Sequence, residues 1–444
     1  MANKTVQYLS FLESEDQQRR VAGSLRERGL APGDRVVISA TPSTTLLSAI
    51  LGALRTGVVP VLINPSLLDH ESDLLIEDAQ ASLVINNKDA LEALLGAEPV
   101  ELSPAPLARP MHYTSGTTGR PKGVWSGVLD EAQGYALLEE EVDLWGFQAG
   151  DVHLLCAPMH HSAPVRFAAG TLLAGGAVIV LPRFDAASVA DAIDQYHPTS
   201  TFMAPVHLQR LFDYFDHIGS VPDLSWFRLI AHAGSPCPEP LKRRALDVFP
   251  KDSVWEFYGS TEGQFTACSS GQWLENPGTV GRARPGRAIS VDSDGVLWCA
   301  TPSHARFTYW RDEQRTNEAW RGDAFSVGDI GHIDDEGFVY LDGRRDDLII
   351  TGGVNVYPVE VEQALGTFPG VTQVAVFGVD DDLWGRRVCA AVVGDVDLEA
   401  LSSHIRTRLA GYKCPKNLIS VTDIPHSETG KVRRSTLAAD LGLE

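Results

Sequence analysis

No apolar run in this 444-residue chain reaches the ~20 residues needed to cross a bilayer, so no membrane span is expected. Basic residues are scarce. Lys plus Arg number 37 against 58 for Asp plus Glu, a formal charge of −21. Such a surface repels a phosphate backbone, which excludes nucleic acid as an expected partner. The six cysteines, at 156, 237, 268, 299, 389 and 414, include no CxxC pair, and no histidine stands at zinc-finger spacing. Reduced thiols acting as small buried hydrophobes in a cytoplasmic protein are the expectation. Met1 to Leu9 lacks a basic stretch followed by an apolar segment, and Ser10 to Arg20 is strongly polar, so no secretory signal is expected. Low-complexity tracts and fixed-period repeats are absent. What remains, 44% hydrophobic and 21% charged, is ordinary globular composition, enough for two or three compact units at ~150 residues each.

From Arg35 to Ile85, short β-branched runs alternate with helical patterns: Val36 to Ile38, Thr44 to Arg55, Val58 to Ile63, Asp73 to Ala79 and Leu83 to Ile85. The rhythm is that of βαβ units. It returns in Ala177 to Leu181, Val189 to Tyr196, Ser200 to Met203, Val206 to Phe215, Leu229 to Ala231, Pro238 to Phe249 and Val254 to Phe257. Between the two halves, four prolines in Glu98 to Pro110 predict a connector without regular structure. After about Gly343 the pattern becomes a compact α+β unit of roughly 100 residues. The fold class expected is therefore α/β, a large N-terminal layered domain with mixed sheets (1–345) joined by a hinge to a small C-terminal α+β domain (346–444).

The stretch Tyr113-Thr-Ser-Gly-Thr-Thr-Gly-Arg-Pro-Lys-Gly-Val124 combines three glycines, four Ser or Thr hydroxyls and the cation of Lys122. Exposed main-chain N–H groups, hydroxyls and an ammonium are what a polyphosphate lying against backbone needs. It is not a Walker A loop, because Pro121 and Gly123 stand where Gly and Ser or Thr belong. This stretch resembles the phosphate loop of the adenylate-forming superfamily, in particular its acyl- and aryl-CoA synthetases. Other blocks follow in the superfamily's order: Ala233-Gly-Ser-Pro236, Phe257-Tyr-Gly-Ser-Thr-Glu262, Val327-Gly-Asp-Ile-Gly331, Asp342 to Glu362, and Pro425 to Arg434. The N-terminal part is shorter than in most members, which bears on the shape of the first subdomain.

The resemblance implies roles for individual residues. Thr114, Ser115, Gly116, Thr117, Thr118, Gly119 and Lys122 would hold phosphate; Gly234, Ser235, Tyr258 and Gly259 would frame adenine. Asp329 would bind the ribose hydroxyls, a task suited to an acceptor-only carboxylate, with Arg344 at ribose or phosphate. Thr261 would bond a phosphate oxygen, and Glu262 would hold Mg²⁺, a cation that favours hard oxygen ligands. Lys431 would be the catalytic lysine, Asp346 the hinge, and Gly352 and Gly353 the wall of a pantetheine tunnel. His161, beside His160, would sit between the acyl and nucleotide sites. The implied cofactors are ATP, Mg²⁺ and coenzyme A, or a carrier-protein phosphopantetheine in place of coenzyme A.

Val165, Phe167, Met203 and Val206 are expected to line an acyl pocket. Amino-acid-activating members carry an Asp early in this region, and none occurs between His161 and Leu181. A buried unpaired ammonium would be heavily penalised, so amino-acid substrates are disfavoured. Arg166 interrupts the apolar run; a surface position is the favoured reading, pairing with a second substrate carboxylate the other. Three functional readings stand at this point. One is an acid:CoA ligase for a fatty, alicyclic or aromatic acid. Another is a stand-alone enzyme that loads an acyl carrier protein, and the third is an inactive nucleotide- or acyl-binding regulator. A homodimer would accord with the superfamily's habit.

Overall fold

The computed structural model describes residues 6–114, 122–344, 347–351, 354–381, 384–426, 432 and 434–443. Two sheets with helices between and around them make the N-terminal part. In the first, Arg35–Ile38, Val59–Leu62, Leu83–Ile85 and Met111–Thr114 run parallel, and Lys122–Trp125 and Thr308–Tyr309 add antiparallel strands at one side. In the second, the parallel strands Ala177–Val180, Val152–Leu155, Ser200–Met203, Leu229–His232 and Val254–Glu256 lie in that spatial order. Gln7–Leu9 closes one edge antiparallel to Ala177–Val180. Buried parallel strands read as continuous apolar runs, and Val59–Leu62 and Ala177–Val180 are buried at every position.

Helix Thr44–Leu54 starts where the Ser43 side chain accepts from Leu46 N–H, and nine of its eleven residues are buried between the sheets. Helix Phe11–Glu27 packs on it. The polar stretch from Ser10 is thus not a surface coil: Ser14 and Gln18 are fully buried, and Gln18 and Glu15 both accept from Arg55. One apolar core joins these helices to both sheets, and a second lies under helices Ala186–Tyr196, Pro205–Ile218 and Glu239–Val248.

Glu98 to Pro110 carries no helix or strand. Against it lies helix Glu131–Trp145, which the sequence reading missed, capped by Asp130 and Gln133 reciprocally. Its Gly134 faces the connector so closely that a Cβ there would stand 2.4 Å from the Pro106 carbonyl oxygen. An open helix gains ~1 kcal/mol from Gly→Ala. Here overpacking against backbone reverses the sign, and Gly134→Ala is expected to lower stability by about 1–3 kcal/mol, read as a lower denaturant midpoint.

Beyond residue 285, Ala288–Val291, Leu297–Ala300, Ala324–Phe325 and Trp320–Arg321 form a small antiparallel sheet, also unread in the sequence. Asp329–Ile333 and Val339–Arg344 make a hairpin. The C-terminal sheet comprises Val354–Val356, Ile349–Thr351, Gly385–Gly394, Val371–Asp381 and Asn417–Ser420. Helices Pro358–Gly366 and Leu398–Arg406 share one of its cores, and Leu437 of helix Arg434–Asp440 enters another. The suggested division at 345/346 falls on residues outside those described. All six cysteines are free thiols, five of them buried. Among the described residues no helix is long and apolar enough to cross a membrane.

Candidate active site

The hairpin Met111–Thr114/Lys122–Trp125 sets Thr114 opposite Lys122, so both ends of the glycine-rich stretch meet at one end of the sheet. Ser115, Gly116, Thr117, Thr118 and Gly119 lie outside the described residues, as do Lys431, Asp346, Gly352 and Gly353. The Thr114 hydroxyl is buried with no hydrogen-bond partner among the described residues, the kind of orphaned group that a ligand oxygen would satisfy. The Lys122 ammonium lies 3.4 Å from Glu262 Oε1, 3.3 Å from the Tyr309 hydroxyl and 4.6 Å from the centroid of that tyrosine ring. Tyr309 donates its proton to the same Glu262 oxygen at 2.9 Å.

Glu262 is placed by a tight turn in which Gly259 bridges to Gln264 and Ser260 N–H donates to the Gly263 carbonyl at 2.8 Å. A Cβ at Gly259 would lie 2.9 Å from that carbonyl oxygen, so the close approach requires glycine. Thr261, half-buried, sits on the turn between Ser260 and Glu262. At its base Tyr258 stacks on Phe265 with centroids 4.6 Å apart and donates to Asp329 Oδ2 at 2.7 Å. Arg344 Nε donates to the other oxygen, Oδ1, at 2.8 Å, because Asp329 and Arg344 are opposite one another across their hairpin. Burial, and then the neighbouring carboxylates, push the phenols of Tyr258 and Tyr309 up, so both remain donors at neutral pH. The charge of Asp329 raises the Arg344 guanidinium's pKa.

Gly234 and Ser235 follow strand Leu229–His232, which runs beside Val254–Glu256 and whose His232 carbonyl accepts from Phe257 N–H. Gly234 has φ +97°, a left-handed conformation suited to glycine. His161 stands at the N-terminal end of helix Ser162–Leu173, its ring 4.3 Å from that of His160. Beneath them His112 bonds the His160 carbonyl through Nδ1 at 2.9 Å, and burial pushes its pKa down to about 4, so it is neutral at pH 7.

The remaining expectations fare differently. Arg166 is not on the surface. Its guanidinium is 3.5 Å from Glu141 and lies over the rings of Phe167 and Phe257, 5.3 and 4.9 Å from their centroids. A cation in an apolar helix survives there because a buried carboxylate and two aromatic faces receive it. Val165, Phe167 and Met203 belong to three separate buried cores instead of one shared lining, and Val206 is half-buried at the start of helix Pro205–Ile218. Tyr309 was missed, because a two-residue strand, Thr308–Tyr309, carries no periodicity that would single it out.

The profile of the AMP-binding enzyme family matches residues 2–303, and the profile of that family's C-terminal domain matches residues 360–431. The chain belongs to the AMP-binding enzyme family. This AMP-binding enzyme is 30% identical to the 2-succinylbenzoate–CoA ligase of Bacillus licheniformis, over 97% of its own length and 94% of the relative's. It is likewise 30% identical to a long-chain-fatty-acid–CoA ligase of Mycobacterium tuberculosis, over 97% and 92%. Among solved structures it superimposes on o-succinylbenzoate CoA synthetase from Bacillus subtilis in complex with its acyl-adenylate intermediate. The TM-score is 0.83 at 26% identity, covering 97% of this chain and 93% of the other.

Proposed function

We propose that this enzyme activates a hydrophobic carboxylic acid with ATP and transfers the acyl group to the thiol of coenzyme A. One observation carries the reading: four separated sequence blocks are linked around the segment 257–265, where Lys122 meets Glu262, Tyr258 donates to Asp329, and Arg344 in turn donates to Asp329. The donor set fits a magnesium nucleotide. Glu262 offers a buried hard oxygen already facing a cation, Thr114 an unsatisfied hydroxyl, and Asp329 a carboxylate that a ribose diol would engage. Bound there, Mg²⁺ would neutralise phosphate charge.

A carboxylate cannot expel oxide. Its oxygen therefore attacks the α-phosphorus, the bond to the bridging oxygen breaks, and pyrophosphate leaves from the Thr114–Lys122 loop. Lys431 and Thr261 meet the charge that develops on the α-phosphate oxygens. In the second step the thiol sulfur attacks the acyl carbonyl, its proton is lost, and AMP departs with the bonding pair. Rotation at Asp346 would clear Lys431 from the path of the thiol, and Gly352 and Gly353 would allow the pantetheine arm to approach closely. His161 would order the substrate carboxylate without acting as a base, since that acid is already ionised.

The lack of an Asp between His161 and Leu181 favours a fatty, alicyclic or aromatic acid over an amino acid. The two CoA-ligase relatives, whose names specify an aryl diacid and a fatty acid, support the same range. The test is ATP–pyrophosphate exchange over a panel of carboxylic acids. Exchange is expected with apolar acids; exchange confined to amino acids would overturn the assignment. Offering coenzyme A and a phosphopantetheinylated carrier side by side decides the acceptor, with faster turnover expected on coenzyme A.

A further inference from the structure

We propose that Tyr309 is a positioning residue for the metal-bearing carboxylate, holding Glu262 and Lys122 in register before nucleotide arrives. The inference rests on the nucleotide reading above. Tyr309 is buried, yet its hydroxyl is shared by two charged groups of opposite sign: its proton goes to Glu262 Oε1 at 2.9 Å, and the Lys122 ammonium stands 3.3 Å from its oxygen. A tyrosine serving only the core needs one partner for its hydroxyl. This one also offers its ring face to the same ammonium at 4.6 Å, so Lys122 is guided by both a lone pair and a π-surface.

The arrangement resolves a conflict. Glu262 is nine-tenths buried or more, and a carboxylate so placed without a counter-charge is strongly disfavoured. Lys122 provides that charge, and both contacts with Lys122 and Tyr309 fall on Oε1. When Lys122 turns to phosphate, the Tyr309 hydrogen bond keeps Oε1 occupied, which directs Oε2 to the arriving cation. Loading is then an exchange of one cation for another around a carboxylate whose rotation Tyr309 prevents. The strand bearing Tyr309 does not depend on the hydroxyl. Tyr309 N–H donates to Thr316 Oγ1 at 2.9 Å, and Thr316 is anchored in turn on the Asp312 carbonyl at 2.7 Å.

The full-length protein is titrated with α,β-methylene-ATP, once with Mg²⁺ and once in EDTA. Binding is followed by calorimetry and by tryptophan fluorescence, since Trp310 adjoins Tyr309 and packs 5.0 Å from Trp125. Tyr309→Phe is expected to weaken binding about ten-fold with Mg²⁺, the scale of one hydrogen bond to a charged group, and less than two-fold in EDTA. Equal weakening in both conditions, or none in either, would overturn the proposal. Thr316→Val disturbs the same strand while sparing the hydroxyl; a magnesium-specific loss in that variant would assign the effect to the strand and overturn the proposal as well. Tyr309→His, which keeps a ring N–H donor, should recover part of the magnesium-dependent affinity and supplies the comparison if the phenylalanine variant does not fold. Wild-type protein that fails to bind the analogue with Mg²⁺ would reject the nucleotide reading itself, whereas a null result confined to the variants rejects only the role of Tyr309.

Discussion

Lys431→Ala is expected to slow acyl-adenylate formation by about 10²–10⁴-fold while leaving thioester formation from supplied acyl-adenylate at the wild-type rate. The asymmetry follows from where charge develops. Attack at the α-phosphorus builds negative charge on oxygens that an ammonium would meet, whereas thiol attack needs that ammonium elsewhere. Single-turnover assays of the two half-reactions check it, and an equal loss in both would reject the lysine's role in the first. The expectation stands on sequence context, Pro425 to Arg434, because Lys431 lies outside the described residues.

Glu141→Ala should produce the largest loss of stability. The Glu141 carboxylate accepts from Arg284 Nη2 at 2.8 Å and from Trp145 Nε1 at 2.9 Å, with Arg166 at 3.5 Å. Burial pushes its pKa up, but the charges of Arg166 and Arg284 and these hydrogen bonds outweigh burial and hold it below the ordinary carboxylate value. Burial in turn lowers the Arg166 pKa to about 10. Alanine would leave two buried guanidiniums uncompensated, at a cost of about 3–5 kcal/mol. Denaturant unfolding monitored by tryptophan fluorescence measures it. Since the native carboxyl has the lower pKa, the wild-type advantage is full above the unfolded value of 4.5 and is lost as pH falls through the folded value. An advantage that instead grew in acid would contradict this linkage.

The βαβ alternation of the N-terminal part was legible where buried elements carry continuous apolar runs, as in Val59–Leu62, Ala177–Val180 and Thr44–Leu54. Leu83–Ile85 and Ser200–Met203 have the ends the periodicity suggests, and Thr44–Leu54 stops one residue short of Arg55. Elements escaped notice where tertiary contacts override local pattern. Helix Phe11–Glu27 buries Ser14 and Gln18 by satisfying them with hydrogen bonds between themselves and to Arg55, so it reads as polar. The short strands from Ala288 to Phe325 are two to four residues long, too brief for any period to register. Helix Asp69–Ala79 begins four residues before Asp73, where the Glu71 carboxylate accepts from Leu68 N–H.

The site divides along the same line. The resemblance to the adenylate-forming superfamily singles out Lys122, Tyr258, Glu262, Asp329 and Arg344, and these side chains are linked to one another in the structure. Arg166 was misplaced because its partner Glu141 lies on a helix that polarity did not reveal, and a buried ion pair leaves no signature in one strand of sequence. Tyr309 was invisible for a related reason: its importance arises from pairing with Val124, across 185 positions of chain.

That pairing has a consequence for association. The sheet bearing the glycine-rich hairpin would otherwise end on Lys122–Trp125, whose outer N–H and C=O groups could template a strand from another molecule. Thr308–Tyr309 takes that place, and Trp310 N–H donates to the Gly123 carbonyl at 2.8 Å. The outermost strand is thereby only two residues long, too short to nucleate intermolecular pairing. The cover over this edge of the sheet and the placement of Lys122 thus depend on one short segment, and damage to it would compromise both together.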